Sequence, residues 1–343
     1  MSTTTARHPR RTRAPRPYRL DVHLGAAGAL DSLADDVREG LSATPKFMLP
    51  KYLYDAVGSD LYEQITDLPE YYQARTELGI LQREMPGVVE RLAPTELVEL
   101  GSGSSRKTRV ILDAMDAAGL LRRYLPVDVC PPALLDAAGM LAEAYPGLRV
   151  HAVAGDFERH LDKVPARPPA GRRLVAFLGG TIGNLAPDHR DAFMRHLAGL
   201  LGPGDALLMG MDIVGGDPER IRRAYDDAAG VTAEFNRNIL RVINRELAAD
   251  FAPEAWDHRA VWRRTLERVE MRLRAREPMR VHIGALGMEV TFEEGEELVT
   301  ELCCKFRRET AEALYARAGL ELTEWHTDEL GHFAVSVAVR PER

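Results

Sequence analysis

The segment LVELGSGSSRKTRVILDAMDAAGLL, residues 97–121, decides the fold. Leu97 to Leu100 is a short apolar run that stops at the glycine turn GSGSS, residues 101–105. Beyond the turn, Val110, Ile111, Ala114 and Leu121 recur at helical spacing, so the unit is strand, turn, helix. The same rhythm continues downstream. Tyr124 to Val127 is a strand closed by Asp128, and 131–147 is a helix that opens on prolines and stops at Pro146-Gly147. Arg149 to Val153 is a third strand ending at Gly155-Asp156-Phe157, and Leu174 to Leu178 is a fourth that runs into GGTIGN, residues 179–184. A helix over 188–201 and a strand over 206–211 complete the series. Alternating strands and helices predict an α/β fold, a mostly parallel sheet with helices on both faces. Ligands of such sheets sit outside the carboxyl ends of the strands, where Glu99, Gly101, Asp128, Asp156 and Gly179–Asn184 all fall.

After Asp212 the rhythm breaks. Two helices are expected, over DPERIRRAYDD and VTAEFNRNILRVINRELAADF, followed by three antiparallel strands over Val269–Leu273, Val281–Phe292 and Leu298–Phe306. This block reads as an inserted second domain. A helix over 309–318 and a closing strand over 331–339 return to the first domain, the strand suited to an antiparallel place in the sheet.

Composition bounds the function. The 343 residues are 45% hydrophobic and 28% charged with net charge −7, ordinary for a soluble globular protein and enough for one to three domains of about 150 residues. Residues 1–20 carry six arginines and no acid, so the other 323 hold 39 basic residues against 52 acidic, a balance that argues against a basic nucleic-acid-binding face. The arm RHPRRTRAPRPYR has no apolar periodicity and is expected to be disordered or extended, a solvated tail with no secretory h-region. No stretch approaches the roughly 18 apolar residues of a membrane span. Three cysteines, Cys130, Cys303 and Cys304, fit neither a disulfide framework nor a zinc knuckle and suit a reducing cytoplasm. The ten histidines show no HxxxH spacing, so no metal is expected.

The strand edge then selects its ligand. An acid after the second strand, Asp128, accepts hydrogen bonds from a ribose in dinucleotide and S-adenosyl-L-methionine sites alike. A dinucleotide site needs GxGxxG, and here the sixth position is Arg106. Glu99 before the turn would repel a pyrophosphate but suits a sulfonium and an amino group. Asp156 and Phe157 fit an adenine, carboxylate to amine and ring to ring. These residues favour S-adenosyl-L-methionine over NAD.

YDAVGSDLYEQITDLPEYYQARTE (54–77), ELGSGSSRKTR (99–109), GDFERHL (155–161), FLGGTIGNL (177–185), AYDDAAGVTAEFNRNIL (224–240), NRELAADF (244–251) and EMRLRA (270–275) closely resemble the L-histidine Nα-methyltransferases of ergothioneine biosynthesis, over residues 28 to 340. The resemblance implies a class I, Rossmann-like methyltransferase domain, 75–214 with 306–343, and a smaller α+β substrate-binding domain, 28–74 with 215–305, after a disordered arm at 1–27. It implies three methyl transfers from S-adenosyl-L-methionine to the α-amine of L-histidine, giving hercynine. Tyr54, Gly101, Lys107, Asp128, Asp156 and Phe157 match the family's cofactor positions. Tyr71, Gly179, Asn184 and Tyr225 match those that hold the amino acid's carboxylate and amine, and Met271, Glu301 and Cys303 those around the imidazole. Read without the resemblance, Glu301 and Cys303 share one strand face, the two tyrosines either donate phenol hydroxyls or pack, and Met271 is core filler.

The chain departs from the family at Cys303, where serine is usual. A thiol donates and accepts weakly, which opens a second reading in which another amino acid such as tryptophan is the substrate. The expected catalysis is positional, with no dedicated acid or base: Asn184, Tyr71 and Tyr225 orient an amine whose pKa near 8 leaves a neutral fraction. The expected partner is a small-molecule amino acid, with no nucleic acid and no membrane, and the expected state a monomer.

Overall fold

The structure, a computed structural model, describes residues 18–103 and 106–342. The described residues form one large sheet, two small ones and nine α-helices. The core of the large sheet is β2 (Pro94–Leu100), β3 (Arg123–Asp128), β4 (Arg149–Ala154), β5 (Arg172–Phe177) and β6 (Ala206–Asp212), all parallel. With β1 (Tyr18–Val22), β12 (Glu321–Thr327) and β13 (Phe333–Val339) the order is β1-β4-β3-β2-β5-β6-β13-β12. β13 runs antiparallel between β6 and β12, the place anticipated for the closing strand.

Both faces of this sheet are covered, which is why its strands are near-continuous apolar runs. On one face α3 (Tyr72–Leu92), α4 (Arg106–Ala117) and α5 (Pro131–Ala144) pack Leu81, Met85, Ile111, Leu112 and Leu141 onto Leu97, Tyr124 and Leu208. On the other, α6 (Pro187–Ala198) and α9 (Arg308–Arg317) bury Met194, Leu197, Leu314 and Tyr315 against Val98, Leu125 and Leu207. The strand order reverses at β2, so the carboxyl ends of β2, β3 and β5 open one crevice.

A separate apolar cluster is drawn from residues 33–72 and 221–303. It unites α1 (Ala26–Ser42) and α2 (Ala56–Thr66) with α7 (Pro218–Arg223), α8 (Val231–Leu247), the sheet β11-β8-β7 and a hairpin of β9 (Met279–Ile283) with β10 (Met288–Phe292). The three-stranded sheet comprises β7 (Trp256–Arg263), β8 (Arg268–Ala275) and β11 (Glu297–Cys304). Phe235, Ile239, Val242 and Ile243 are the buried stripe of α8, as their spacing predicts.

Three expectations change. The arm does not extend to residue 27: Tyr18–Val22 is an edge strand paired in parallel with β4, because Leu20 finds an apolar seat against Leu134, Ala152 and Ala154. Residues 1–17 lie outside the described residues, as do Ser104 and Ser105 of the glycine turn. Val281–Phe292 is not one strand but a hairpin, turned at Gly284–Leu286 with Gly287 at φ +56°, a conformation glycine adopts without strain. Its place beside β8 is taken by Trp256–Arg263, a strand the sequence reading left unassigned.

Candidate active site

The crevice is a cleft of about 1610 Å³ between the large sheet and the second cluster, and its floor is the glycine turn. Gly101 and Gly103 hold positive φ, +72° and +46°, and nothing lies within 4 Å of where a Cβ would stand on either. That open cradle lets a ligand approach the backbone. Asp128 faces it from the end of β3, its carboxylate oriented by the N–H groups of Gly103 at 3.3 Å and Cys130 at 3.1 Å. Val129, Ala133, Ala137, Met140 and Phe157 supply an apolar wall. A cradle, an acceptor for a diol and an apolar slot fit the nucleoside of S-adenosylmethionine. Glu99 also lines the cleft, but one of its oxygens accepts from both Thr108 Oγ1 (2.7 Å) and Tyr124 OH (2.6 Å), and burial pushes its carboxyl up to about 7.

Two candidate cofactor residues stand differently from the sequence reading. Asp156 is not on the cleft wall. Its carboxylate receives Lys51 Nζ at 3.1 Å and the N–H of Glu158 at 2.9 Å, fixing the loop that carries Phe157 into the cleft. Lys107 lines the cleft, yet its Nζ donates to the fully buried Glu77 at 2.6 Å. Glu77 also accepts the N–H of Gly179 at 2.9 and 3.0 Å, so that N–H is spent inside the protein rather than on a ligand.

A smaller pocket opens off the cleft and brings together Tyr54, Tyr71, Gly179, Asn184, Tyr225, Met271, Glu301 and Cys303, residues scattered over some 250 positions of sequence. Much of its lining is aromatic. Tyr54, Tyr62, Tyr71 and Tyr225 meet edge to face with centroids 5.4 to 6.3 Å apart, and Phe235 closes the ring against Tyr54 at 5.3 Å. Burial holds the phenols of Tyr54, Tyr71 and Tyr225 well above their ordinary range, so they remain protonated donors. Glu301 lines the same pocket. Asn184 Nδ2 donates to its Oε1 at 2.9 Å, and burial pushes the carboxyl up to about 7, against the pull of the Cys303 thiol, Lys305 and Asn184. Burial also raises the Cys303 thiol well above its usual range, which leaves it no thiolate for nucleophilic chemistry.

Sequence reasoning missed Tyr62, Glu77, Asp212 and Lys305. Lys305 is buried and donates to Asp212 Oδ2 (2.7 Å) and Tyr225 OH (2.8 Å), while Tyr72 OH donates to the other oxygen of Asp212 at 2.8 Å. Since Tyr225 OH accepts from Lys305, its own proton is free to point elsewhere. Tyr62 and Glu77 lay in a quoted motif; Asp212 and Lys305 had no local signal, their partners being 80 to 140 residues away.

This strand order, with an antiparallel strand beside the edge, a glycine turn after β2 and an acid after β3, defines a class I S-adenosylmethionine-dependent methyltransferase. The profile of the S-adenosylmethionine-dependent, histidine-specific methyltransferases matches residues 33–340, and the chain belongs to that family. It is 53% identical over 321 residues to the histidine N-alpha-methyltransferase of Mycolicibacterium smegmatis, covering 94% of this chain and 99% of that protein. Identity to the histidine N-alpha-methyltransferase of Mycobacterium tuberculosis is 49%, with 93% and 98% covered. An ergothioneine biosynthesis protein 1 of Neurospora crassa is 29% identical over 82% of this chain and 32% of its own length.

Proposed function

We propose that the protein trimethylates the α-amine of L-histidine with S-adenosyl-L-methionine, forming hercynine, a first step of ergothioneine biosynthesis. The observation that carries this reading is the inner pocket, which brings the buried carboxyl of Glu301 together with protonated tyrosines. Gly101, Lys107, Asp128 and Phe157, with Tyr54 at the mouth, are assigned to the cofactor, and Asp156 to the loop that bears Phe157. Tyr71, Asn184 and Tyr225 are assigned to the head of the amino acid, with Gly179 lining the pocket beside them, and Met271, Glu301 and Cys303 to its ring.

When bound, S-adenosylmethionine supplies a methyl group already activated on a sulfonium. The chain's residues have the remaining work of alignment and exclusion of water. Tyr225, polarised by Lys305, donates its hydroxyl proton to the substrate carboxylate. The amine attacks in its neutral form, and the ammonium formed by each of the first two transfers loses a proton before the next. The faces of Tyr54, Tyr62 and Tyr71 accept the growing quaternary ammonium, whose formation ends the series because no lone pair remains. Glu301 accepts a ring N–H, which favours imidazole over rings without one.

The division into a substrate lobe, 28–74 with 215–305, and a cofactor lobe, 75–214 with 306–343, is supported by the separate apolar clusters. A cytoplasmic location is supported by three unpaired cysteines. No helix among the described residues is long and apolar enough to cross a membrane.

Calorimetry with S-adenosylhomocysteine and then L-histidine tests the assignment. Asp128→Asn is expected to weaken the nucleoside about tenfold or more, and Glu301→Gln to weaken histidine alone by a similar factor. Unchanged affinities in both variants would overturn it.

A further inference from the structure

β11 does not alternate regularly. Val299 pairs with Arg272 and Glu301 with Met271, so Thr300 is an extra residue opposite no partner, a β-bulge. Its effect on the site is a change of parity. Leu298 and Cys303 are five positions apart and would face opposite sides of a regular strand, yet both are buried in the same apolar cluster. The bulge is what turns Glu301 and Cys303 toward the pocket while Leu298 stays in the core.

The bulge is held by a buried hydrogen-bond chain with one consistent direction. Thr300 Oγ1 lies 2.5 Å from Asn236 Oδ1, to which it donates, and 3.0 Å from the carbonyl of Met271. With its oxygen so used, Asn236 donates through Nδ2 to His258 Nδ1 at 2.9 Å and to the Arg272 carbonyl at 3.1 Å. A histidine that accepts at Nδ1 carries its proton on Nε2, and His258 Nε2 donates to the backbone carbonyl of Tyr225 at 2.7 Å. Thr300 and Asn236 are fully buried. The chain therefore spans from the residue assigned to the substrate carboxylate to the residue adjoining the ring acceptor.

We propose that Thr300, Asn236 and His258 are positioning residues that set the distance between the head-group clamp at Tyr225 and the ring clamp at Glu301 and Cys303, and so select the length and shape of the amino acid accepted. None of the three lines the cleft or the inner pocket. The inference rests on the functional reading above and extends it to what fixes specificity. An isosteric loss of the hydroxyl leaves Asn236 Oδ1 without its donor in a dry interior, which favours relaxation of the bulge.

Steady-state kinetics of the full chain and of Thr300→Val, Thr300→Ser and Asn236→Leu, with L-histidine and a panel of aromatic amino acids, test this. For Thr300→Val the expected result is a rise of about tenfold in KM for histidine, with a matching loss of preference for histidine over the panel. The affinity for S-adenosylhomocysteine is expected to stay within about twofold, since its cradle belongs to the other lobe. Thr300→Ser keeps the hydroxyl and is expected to restore both KM and preference. Two results would overturn the proposal: Thr300→Val with unchanged KM and preference, or a parallel fall in nucleoside affinity, histidine affinity and melting temperature that serine does not rescue. If Asn236→Leu fails to fold, the valine and serine pair decides alone. Native protein that leaves histidine unmethylated would instead overturn the functional reading and the inference with it.

Discussion

Glu301 is a carboxyl kept in a dry pocket, and its cost should be visible in the free protein. Burial lifts it to about 7 from an ordinary 4.5. An acid whose folded pKa is raised binds its proton more tightly when folded, so its penalty is absent below about 4.5 and grows as pH rises toward 7. Glu301→Gln is therefore expected to raise the melting temperature at pH 8, with the gain shrinking as pH falls to 5. Thermal melts across that range check it; a destabilised variant at pH 8 would contradict it. Glu99, also lifted to about 7 by burial, predicts the same sign for Glu99→Gln, less the loss of its bonds to Thr108 and Tyr124. At Cys303 the thiol is a poor hydrogen-bond partner for a ring nitrogen. Cys303→Ser is expected to lower KM for histidine by about threefold to tenfold with little change in kcat, as measured by initial rates over histidine concentration.

At the scale of elements, β1 carries the sharpest test. Removal of residues 1–17 is expected to leave melting temperature and kcat/KM unchanged. Removal through Val22 uncovers the edge of β4 and the seat of Leu20, and is expected to lower the melting temperature and promote aggregation, followed by light scattering on heating. The same strand shows where the sequence is silent. The βα units from Leu97 to Met211 were legible because each strand is a continuous apolar run and each helix has a 3.6-residue stripe. YRLDV has one partner strand and follows a run of arginines and prolines, so nothing local marks it. Val281–Phe292 keeps a strand's alternation on both sides of its turn, which hides the hairpin until the backbone is seen. The Thr300 bulge leaves no local mark in the sequence. Asp128, Phe157, Glu301 and the tyrosines were reachable from motifs, while Lys305 acts only through contacts far along the chain.

Across the whole molecule, the apolar cluster of residues 33–72 and 221–303 meets those of the large sheet at the cleft, and ion pairs cross it. Lys51 reaches Asp156 at 3.1 Å, and Arg106 reaches Asp67 at 3.0 Å. Exposed pairs of the last kind contribute little, so the link between the two sides of the cleft depends more on a buried pair, Lys305 with Asp212. The large exposed apolar residues, Val22, Leu30, Val57, Met140, Leu266 and Leu330, lie on different elements. A single 38.1 kDa species is accordingly expected by light scattering coupled to size exclusion. The most direct measurement is mass spectrometry of the products formed by purified protein from S-adenosylmethionine and an equimolar amino-acid mixture. The account predicts histidine carrying three methyl groups on its α-nitrogen as the dominant product, with the other amino acids nearly untouched. Methylation of a different amino acid, or no transfer by protein that binds S-adenosylhomocysteine, would contradict it.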